Sequence, residues 1–220
     1  MVDIGSSSIT GDQVRSCRLL VFAKAPVPGQ VKTRMQPHLS RQQSAQLHRR
    51  LVEHCLHHCA SLPWLQLQLW VGSDHPWWAA LQRRHSLSVY SQLGQNLGER
   101  MAAAVAAGPV DQHGLILIGT DCPDINSDYL RAASAALQQN DVVLGPAEDG
   151  GYVLIGFSMK HRQRYQAVFA GVDWSTDKVL VQTRQRLAQQ QLRWVELPVL
   201  SDIDRPEDLR LLQRHFPDGY

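Results

Sequence analysis

The stretch from Leu19 to Arg34 reads L-L-V-F-A-K-A-P-V-P-G-Q-V-K-T-R. Its first part, residues 19–23, is continuously apolar, which is typical of a strand buried on both faces of a sheet. Lys24 ends this run, and Lys32 and Arg34 follow after a short loop. A buried strand therefore leads into a loop with three cations. This pattern predicts either a polyphosphate-binding loop or a surface loop whose charges are solvated.

The composition of the loop favours a bound polyphosphate. Fixed cations neutralise a diphosphate or triphosphate, and arginine binds phosphate oxygens in pairs. Pro26 and Pro28 restrict the loop before binding, and Gly29 allows a close approach of the backbone. The loop matches neither the G-x-x-x-x-G-K-[ST] pattern nor the G-x-G-x-x-G pattern. Phosphate binding is therefore a hypothesis that rests on charge and rigidity.

Strand and helix patterns alternate along the rest of the chain. The predicted strands are residues 17–23, 65–71, 88–91, 115–118, 141–144, 151–156 and 193–197, and the predicted helices are residues 40–60, 76–85, 97–107, 127–139, 175–191 and 206–215. This alternation predicts an α/β fold with a mostly parallel sheet covered by helices on both faces. We predict a flexible N-terminal extension at residues 1–16 and a single domain at residues 17–220.

The overall composition excludes several classes of protein. A net charge of +2 is too small to indicate a nucleic-acid partner. No apolar run approaches the roughly 20 residues of a membrane-spanning helix, and the N-terminus does not resemble a signal peptide. The four cysteines lack the spacing of a disulfide framework, so we expect a cytoplasmic protein.

A second candidate stretch, I-L-I-G-T-D-C-P-D, spans Ile116 to Asp124. Gly119, Thr120 and Asp121 follow a predicted buried strand. Ligands of α/β sheets bind at the carboxyl ends of strands, so we expect this turn to meet the basic loop. An aspartate there is suited to hold Mg²⁺ against phosphate oxygens. The alternative is that Asp121 only accepts hydrogen bonds from loop amides.

A third stretch, L-G-P-A-E-D-G-G-Y, spans Leu144 to Tyr152. Two glycines after two carboxylates predict a tight turn, and Asp-Gly is a strong hairpin signal. The turn is compatible with a ligand-binding role for Asp149, which we treat as a candidate catalytic residue.

A fourth stretch, L-S-D-I-D-R-P-E-D-L, spans residues 200–209. Asp202 and Asp204 could complete a metal site with Asp121. Alternatively, Asp204 and Glu207 cap the helix that begins near Pro206.

The stretch H-C-L-H-H-C, residues 54–59, resembles a metal-binding cluster. However, Leu47, Leu51, Cys55 and Cys59 form a stripe at i, i+4 spacing. That stripe favours a core position for both cysteines over a metal site.

Six motifs together resemble one known family. They are A-K-A-P-V-P-G-Q-V-K-T-R, L-G-E-R-M, G-T-D-C-P-D, L-G-P-A-E-D-G-G-Y-V-L-I-G, W-S-T-D-K-V-L and D-I-D-R-P-E-D-L, in that order within residues 17–212. The chain resembles the radical-SAM/selenodomain-associated, glycosyltransferase-like transferase family of the nucleotide-diphospho-sugar transferase superfamily. Phospholactate and molybdenum-cofactor guanylyltransferases are more distant relatives. Asp173 stands where the family has a proline, and Met35 stands where it has a leucine.

The resemblance implies a three-layer, Rossmann-like glycosyltransferase type A fold with a mixed sheet whose antiparallel strand lies near residues 152–155. It implies a divalent cation, Mg²⁺ or Mn²⁺, at Asp121, with Asp204 as a second ligand. The implied nucleotide-binding residues, together with the turn at Gly119 and Thr120, are Ala23, Lys24, Gly29, Lys32 and Arg34.

Three functions follow from these expectations. The first is a metal-dependent transfer from a nucleotide sugar to an unknown small-molecule acceptor, with Asp121, Asp149 and Lys32 as catalytic residues. The second is a nucleotidyltransferase that binds a nucleoside triphosphate and releases pyrophosphate when a phosphorylated acceptor attacks. The third is a nucleotide-binding protein without catalysis.

Overall fold

A mixed sheet of seven strands runs through the computed structural model, which describes residues 16–107, 113–217 and 219. The strands are β1 (Cys17–Ala23), β2 (Leu65–Val71), β3 (Ser88–Ser91), β4 (Gly114–Ile118), β5 (Val142–Pro146), β6 (Tyr152–Ser158) and β7 (Trp194–Glu196). The α-helices are α1 (Arg41–Ala60), α2 (Trp77–His85), α3 (Leu97–Ala107), α4 (Ser127–Gln139), α5 (Arg162–Val168) and α6 (Val179–Gln189). Short 3-10 helices span Thr33–Met35, Met159–His161 and Pro206–Arg214.

The order of the strands creates a switch point in the sheet. The order is β3-β2-β1-β4-β6-β5-β7. β1 is parallel to both β2 and β4, whereas β6 is antiparallel to β4 and β5. The α/β fold with a mixed sheet is therefore confirmed, including the antiparallel strand near residues 152–155. The chain moves from β1 to β3 and then returns to the other side of β1, so a crevice for ligands is expected between the carboxyl ends of β1 and β4.

The continuous apolar run of β1 reflects a core on each face of the sheet. Leu19 and Val21 pack into a cluster with α1, α2 and α4. Leu20 and Phe22 pack into a second cluster with α3, α5 and α6. A strand covered on both faces needs apolar residues at every position, which is why β1 does not alternate. A third cluster, which includes Met35, joins the C-terminal 3-10 helix to α1.

The predicted start of α1 and its cysteine stripe are both confirmed. Ser40 and Gln43 form a reciprocal capping box before the helix. Cys59 is buried and Cys55 packs against the same core. A hydrogen bond with Cys59 and burial raise the pKa of the Cys55 thiol well above its usual value. The part of the chain that the structure describes contains no group of three or more His, Cys, Asp or Glu side chains placed to hold a metal ion.

The predicted helices in the second half of the chain were wrong in three respects. α6 begins at Val179 rather than at residue 175, because Thr176 donates to the Asp173 carbonyl and accepts from the Lys178 amide in a turn. α5 was not predicted. The final helix is a 3-10 helix that ends at Arg214.

The proposed extension at residues 1–16 lies outside the described residues except for Ser16, and the domain boundary stays a prediction. Among the helices described, none has the length and hydropathy to cross a membrane.

We expect Gly98→Ala to destabilise the fold. A Cβ at this position would lie 2.3 Å from the indole nitrogen of Trp174, and such overpacking costs about 1–3 kcal/mol. Urea denaturation measures the loss. In a Trp174→Leu background the same glycine change should cost little, and an equal cost in both backgrounds would contradict the packing argument.

Candidate functional site

The carboxyl ends of β1 and β4 form an open edge at the switch point. Ala23 is buried at the end of β1, and the next residue, Lys24, is exposed. Gly119 is exposed just after β4, and a Cβ built there would meet no atom within 4 Å. Thr120 behind it is buried. The structure thus brings the predicted turn and the start of the basic loop to neighbouring positions, with open space between them and solvent.

Lys32 is buried and is occupied by contacts within the protein. Its Nζ lies 2.8 Å from Oδ1 of Asp121 and donates a hydrogen bond to the carbonyl of Ile203. Its backbone is left-handed, with φ at 48°. Because a buried ammonium needs a compensating charge, this side chain ties the basic loop to the turn after β4 and to the C-terminal segment.

His48 belongs to the same group, although the sequence analysis did not identify it. Its Nε2 donates to the carbonyl of Lys24 at 3.0 Å, and its Nδ1 lies 3.7 Å from Oδ1 of Asp121. The signal in the sequence was a polar residue between Leu47 and Leu51 on the buried face of a predicted helix. His48 therefore joins α1 to the ends of both β1 and β4.

Asp121 is an ionised carboxylate that solvent can reach. Burial favours its protonated form, but the charge of Lys32 and the contact with His48 outweigh this effect and hold the pKa of Asp121 well below its usual range. Oδ1 is buried, whereas 45% of the side chain is exposed. The exposed part of the carboxylate therefore remains available to a ligand.

Arg34 and Asp204 form a second, more exposed pair, with Nη1 2.5 Å from Oδ2. The alternative in which Asp204 caps the following helix is wrong. The carboxylate of Asp208 performs that role, since it accepts from the amides of Asp204 at 2.9 Å and Arg205 at 2.7 Å. Asp204 is thus free of a capping function and faces the basic loop.

Asp202 is a carboxylate in negative surroundings. Burial, followed by the charges of Asp149, Asp204 and Asp121, raises its pKa to about 6. The ion pairs of the described residues include Asp121 and Asp204 but not Asp202. Four aspartates therefore lie near one another and are paired with Lys32, Arg34 and, at 3.7 Å, His48, which leaves more carboxylates than partners.

The predicted turn at Asp149 is confirmed. Oδ1 of Asp149 accepts from the amide of Gly151 at 2.8 Å. Gly150 has a φ of +88°, and a Cβ there would lie 2.3 Å from the carbonyl of Asp177. The glycine is thus required for the turn to pack against the segment before α6. The charge of Asp149 adds to the effect of Asp204 in raising the pKa of Arg34, and to the effect of burial in raising the pKa of Asp202, so the turn lies near both residues.

Two residues of the candidate motifs have structural roles. Gly29 has a φ of +82°, which a turn in the loop requires, and its Cβ position faces Arg41. Asp124 pairs with Arg214 and accepts from His215 at 2.8 Å, which fixes the C-terminal helix to the turn after β4. A ligand-binding role of Gly29 stays a prediction.

The carboxylates suit a divalent cation chemically, although within the described chain they are not arranged as a group of three or more metal ligands and each predicted ligand has a cationic neighbour. Hard cations such as Mg²⁺ and Mn²⁺ prefer carboxylate oxygens. The exposed part of Asp121 and the uncompensated charge of Asp202 would favour such an ion. Asp204 would first have to leave Arg34.

Comparison with known proteins identifies the family and the fold of this chain. A family model described as an uncharacterized protein conserved in bacteria, DUF2064, matches residues 55–176. The chain belongs to the DUF2064 family. A candidate nucleotide-diphospho-sugar transferase from Desulfovibrio desulfuricans G20 is 31% identical, with a TM-score of 0.81 over 91% of this chain and 87% of that one. A search of curated protein sequences found no match.

More distant structures share the fold of this DUF2064 protein. 4-Diphosphocytidyl-2C-methyl-D-erythritol synthase from Anaerococcus prevotii DSM 20548 has a TM-score of 0.63 at 9% identity, over 93% of this chain and 99% of that one. Glucosyl-3-phosphoglycerate synthase from Mycobacterium tuberculosis, crystallised with Mn²⁺ and UDP, has a TM-score of 0.57 at 11% identity, over 91% and 80%. These two structures show the fold, whereas the name of the 31% identical structure agrees with the predicted class of enzyme, a transferase. The radical-SAM association and the guanylyltransferase relatives stay predictions.

We expect the buried pair to be strongly coupled in this DUF2064 protein. Lys32→Met and Asp121→Asn should each destabilise by about 2–4 kcal/mol, because each leaves a charged partner poorly compensated. The double variant should lose less free energy of unfolding than the sum of the two single losses, by at least about 1 kcal/mol. Urea denaturation of the cycle measures this coupling. The more exposed pair of Arg34 and Asp204 is the control, and the cycle of Arg34→Gln and Asp204→Asn should give a coupling below about 1 kcal/mol. Equal couplings in the two cycles would contradict a special structural role for Lys32 and Asp121.

Asp202 should make stability depend on pH. A folded-state pKa of about 6 lies above the usual value, so the folded protein holds this proton more tightly than the unfolded chain does. The carboxyl group therefore costs stability as pH rises through about 6. We expect Asp202→Asn to stabilise by about 1–2 kcal/mol at about pH 7.5 in EDTA and to have little effect near pH 4. Thermal unfolding measures this, with Asp74→Asn as an exposed control; a gain independent of pH would refute the prediction.

Proposed function

We propose that this protein is a metal-dependent transferase that takes a nucleotide sugar as its donor and passes the sugar to a small-molecule acceptor. The observation that supports this most is the open carboxyl edge at the switch point, where exposed Lys24 and Gly119 follow two paired strands and Asp121 lies two residues after Gly119. Such a crevice holds ligands in doubly wound α/β sheets.

The phosphates of the donor would lie between the ends of β1 and β4. Lys24 is exposed there, and Arg34 is the more exposed partner of its ion pair, with 53% of its side chain accessible. These two cations are available to a diphosphate. Lys32 is buried, so we assign it the role of holding Asp121 ionised and in position.

A divalent cation, Mg²⁺ or Mn²⁺, would be held by Asp121 with Asp202 or Asp204. When bound, it would neutralise the charge that develops on the departing diphosphate. Asp149 is exposed on the turn that faces Asp202, and from there it would orient an acceptor hydroxyl or take its proton. The four cysteines are free thiols, which supports a reducing, cytoplasmic setting.

Nucleotidyl transfer is the second candidate, because the fold neighbours include enzymes of both kinds. In that reaction a phosphorylated acceptor would attack the α-phosphate of a nucleoside triphosphate, and pyrophosphate would leave. The same cations and carboxylates would serve it. A non-catalytic nucleotide-binding protein is the third candidate.

Thermal unfolding in the presence of ligands separates these functions. We expect nucleotide sugars with Mg²⁺ or Mn²⁺ to stabilise the protein by about 2.7 kcal/mol at a hundredfold excess over Kd. Stabilisation by triphosphates alone would favour nucleotidyl transfer. If neither nucleotide sugars nor triphosphates stabilise the protein, both enzymatic proposals are refuted. Nucleotide binding without turnover of any acceptor would favour the non-catalytic nucleotide-binding protein.

Two variants locate the binding site in that assay. Gly119→Ala should preserve the unliganded Tm, since its Cβ meets no atom, but weaken the ligand-induced shift. Lys24→Gln should weaken the affinity for the ligand about tenfold through the loss of one phosphate contact, and so reduce the shift as well. Lys160→Gln, an exposed lysine at the other end of the sheet after β6, is the charge-matched control.

A further inference from the structure

The region from the end of β3 to the first residue of α3 carries an uncovered apolar surface. Five large hydrophobic residues are notably exposed in the described chain, and three of them lie within eight positions here. They are Tyr90, Leu93 and Leu97, exposed by 40%, 66% and 44%. Tyr90 also stacks on Trp70, with ring centroids 5.0 Å apart. Such a surface at the carboxyl ends of β2 and β3 suits a flat, partly apolar ligand.

Arg100 extends from the first turns of α3 over the end of β2. Its Nε donates to the carbonyl of Gly94 at 3.1 Å. Its Nη1 lies 3.8 Å from the position that a Cβ on Gly72 would occupy. The ion pairs found among the described residues do not include Arg100, so its outer nitrogens offer donors to a ligand.

Gln92 presents an acceptor to the same space. Its Nε2 donates to the carbonyl of Trp70 at 2.8 Å, which fixes the orientation of the amide. Its Oε1 is then the free end, and it also lies 3.8 Å from the Cβ position of Gly72. A donor and an acceptor therefore both border the space above Gly72, which has no side chain to fill it.

This position is close to the proposed phosphate site. The amide of Gly72 donates to the carbonyl of Ala23 at 3.3 Å, so the end of β2 lies directly beside the end of β1. Two strand spacings, about 10 Å, separate it from the turn after β4. An extended nucleotide whose phosphates lie at that turn places its base over the end of β2.

We propose that Arg100 and Gln92 bind the lactam edge of a nucleobase, that is, an adjacent C=O and N–H, as in guanine and uracil. The Arg100 guanidinium donates to the carbonyl oxygen, and Oε1 of Gln92 accepts from the ring N–H. Leu93 and Leu97 lie in the same segment and offer apolar surface to the ring. Adenine and cytosine lack this edge. The inference rests on the proposed function, because it assigns the base of the same nucleotide.

Isothermal titration with inosine and adenosine diphosphates tests this directly, because the two differ only in the lactam. With Mg²⁺ present, we expect IDP, GDP and UDP to bind at least about tenfold more tightly than ADP and CDP, as expected for hydrogen bonds to a charged group. Arg100→Gln should reduce the preference for IDP over ADP to below about threefold. The affinity of this variant for inorganic pyrophosphate should equal that of the wild type.

Two further variants keep the test clear of folding effects. Gly72→Ala places a methyl group in the shared space with ordinary contacts, so it should preserve Tm and weaken IDP binding. Arg83→Gln, an exposed arginine near the end of α2, should behave as the wild type.

The outcomes separate the two proposals. Equal affinity of the wild type for IDP and ADP overturns the base assignment alone. An equal loss of IDP and pyrophosphate binding in Arg100→Gln also overturns it, because Arg100 would then be a phosphate ligand. No binding of any diphosphate or pyrophosphate to the wild type overturns the proposed function as well.

Discussion

The contact between buried Lys32 and Asp121 connects the parts of the molecule that form the site. The Nζ of Lys32 also donates a hydrogen bond to the carbonyl of Ile203. One ammonium therefore joins the loop after β1, the turn after β4 and the C-terminal segment. A charge in this position is tolerated only with compensation. The backbone at Lys32 is left-handed, with φ at 48°, which is uncommon for a residue other than glycine, and both Lys32 and its neighbour Val31 are buried.

This pairing changes the electrostatic description of the site. Without a ligand, Lys32 and Arg34 each pair with one of four neighbouring aspartates, and burial together with the remaining negative charge raises the pKa of Asp202. A divalent cation would relieve that excess, and it would also release Arg34 from Asp204 toward an anionic ligand. Metal and phosphate would therefore support each other's binding, since each compensates the charge that the other leaves.

The sequence was sufficient to predict the strands and helices with strong periodicity. It was also sufficient to predict that the candidate residues meet at the carboxyl edge of the sheet. Continuous apolar runs such as β1 marked the buried strands, and the rule for α/β sheets placed Lys24 beside the turn at Gly119. Contacts between distant segments were not predictable. Nothing in the spacing distinguishes a buried Lys32 from an exposed one. α5 has only seven residues, R-Q-R-Y-Q-A-V, with Tyr165 and Val168 buried, which is too short for a helical pattern to stand out.

The antiparallel strand explains how Asp149 reaches an edge built by parallel strands. β5 runs parallel to β7 and ends at Pro146, and β6 returns from residue 152 beside β4. The turn between them must then lie at the carboxyl ends of β4 and β5, where Asp121 also lies. A parallel strand in place of β6 would have needed a crossover, and its first residues would have entered from the opposite edge. The tight turn at Gly150 is thus the feature that brings a second acidic segment to the switch point.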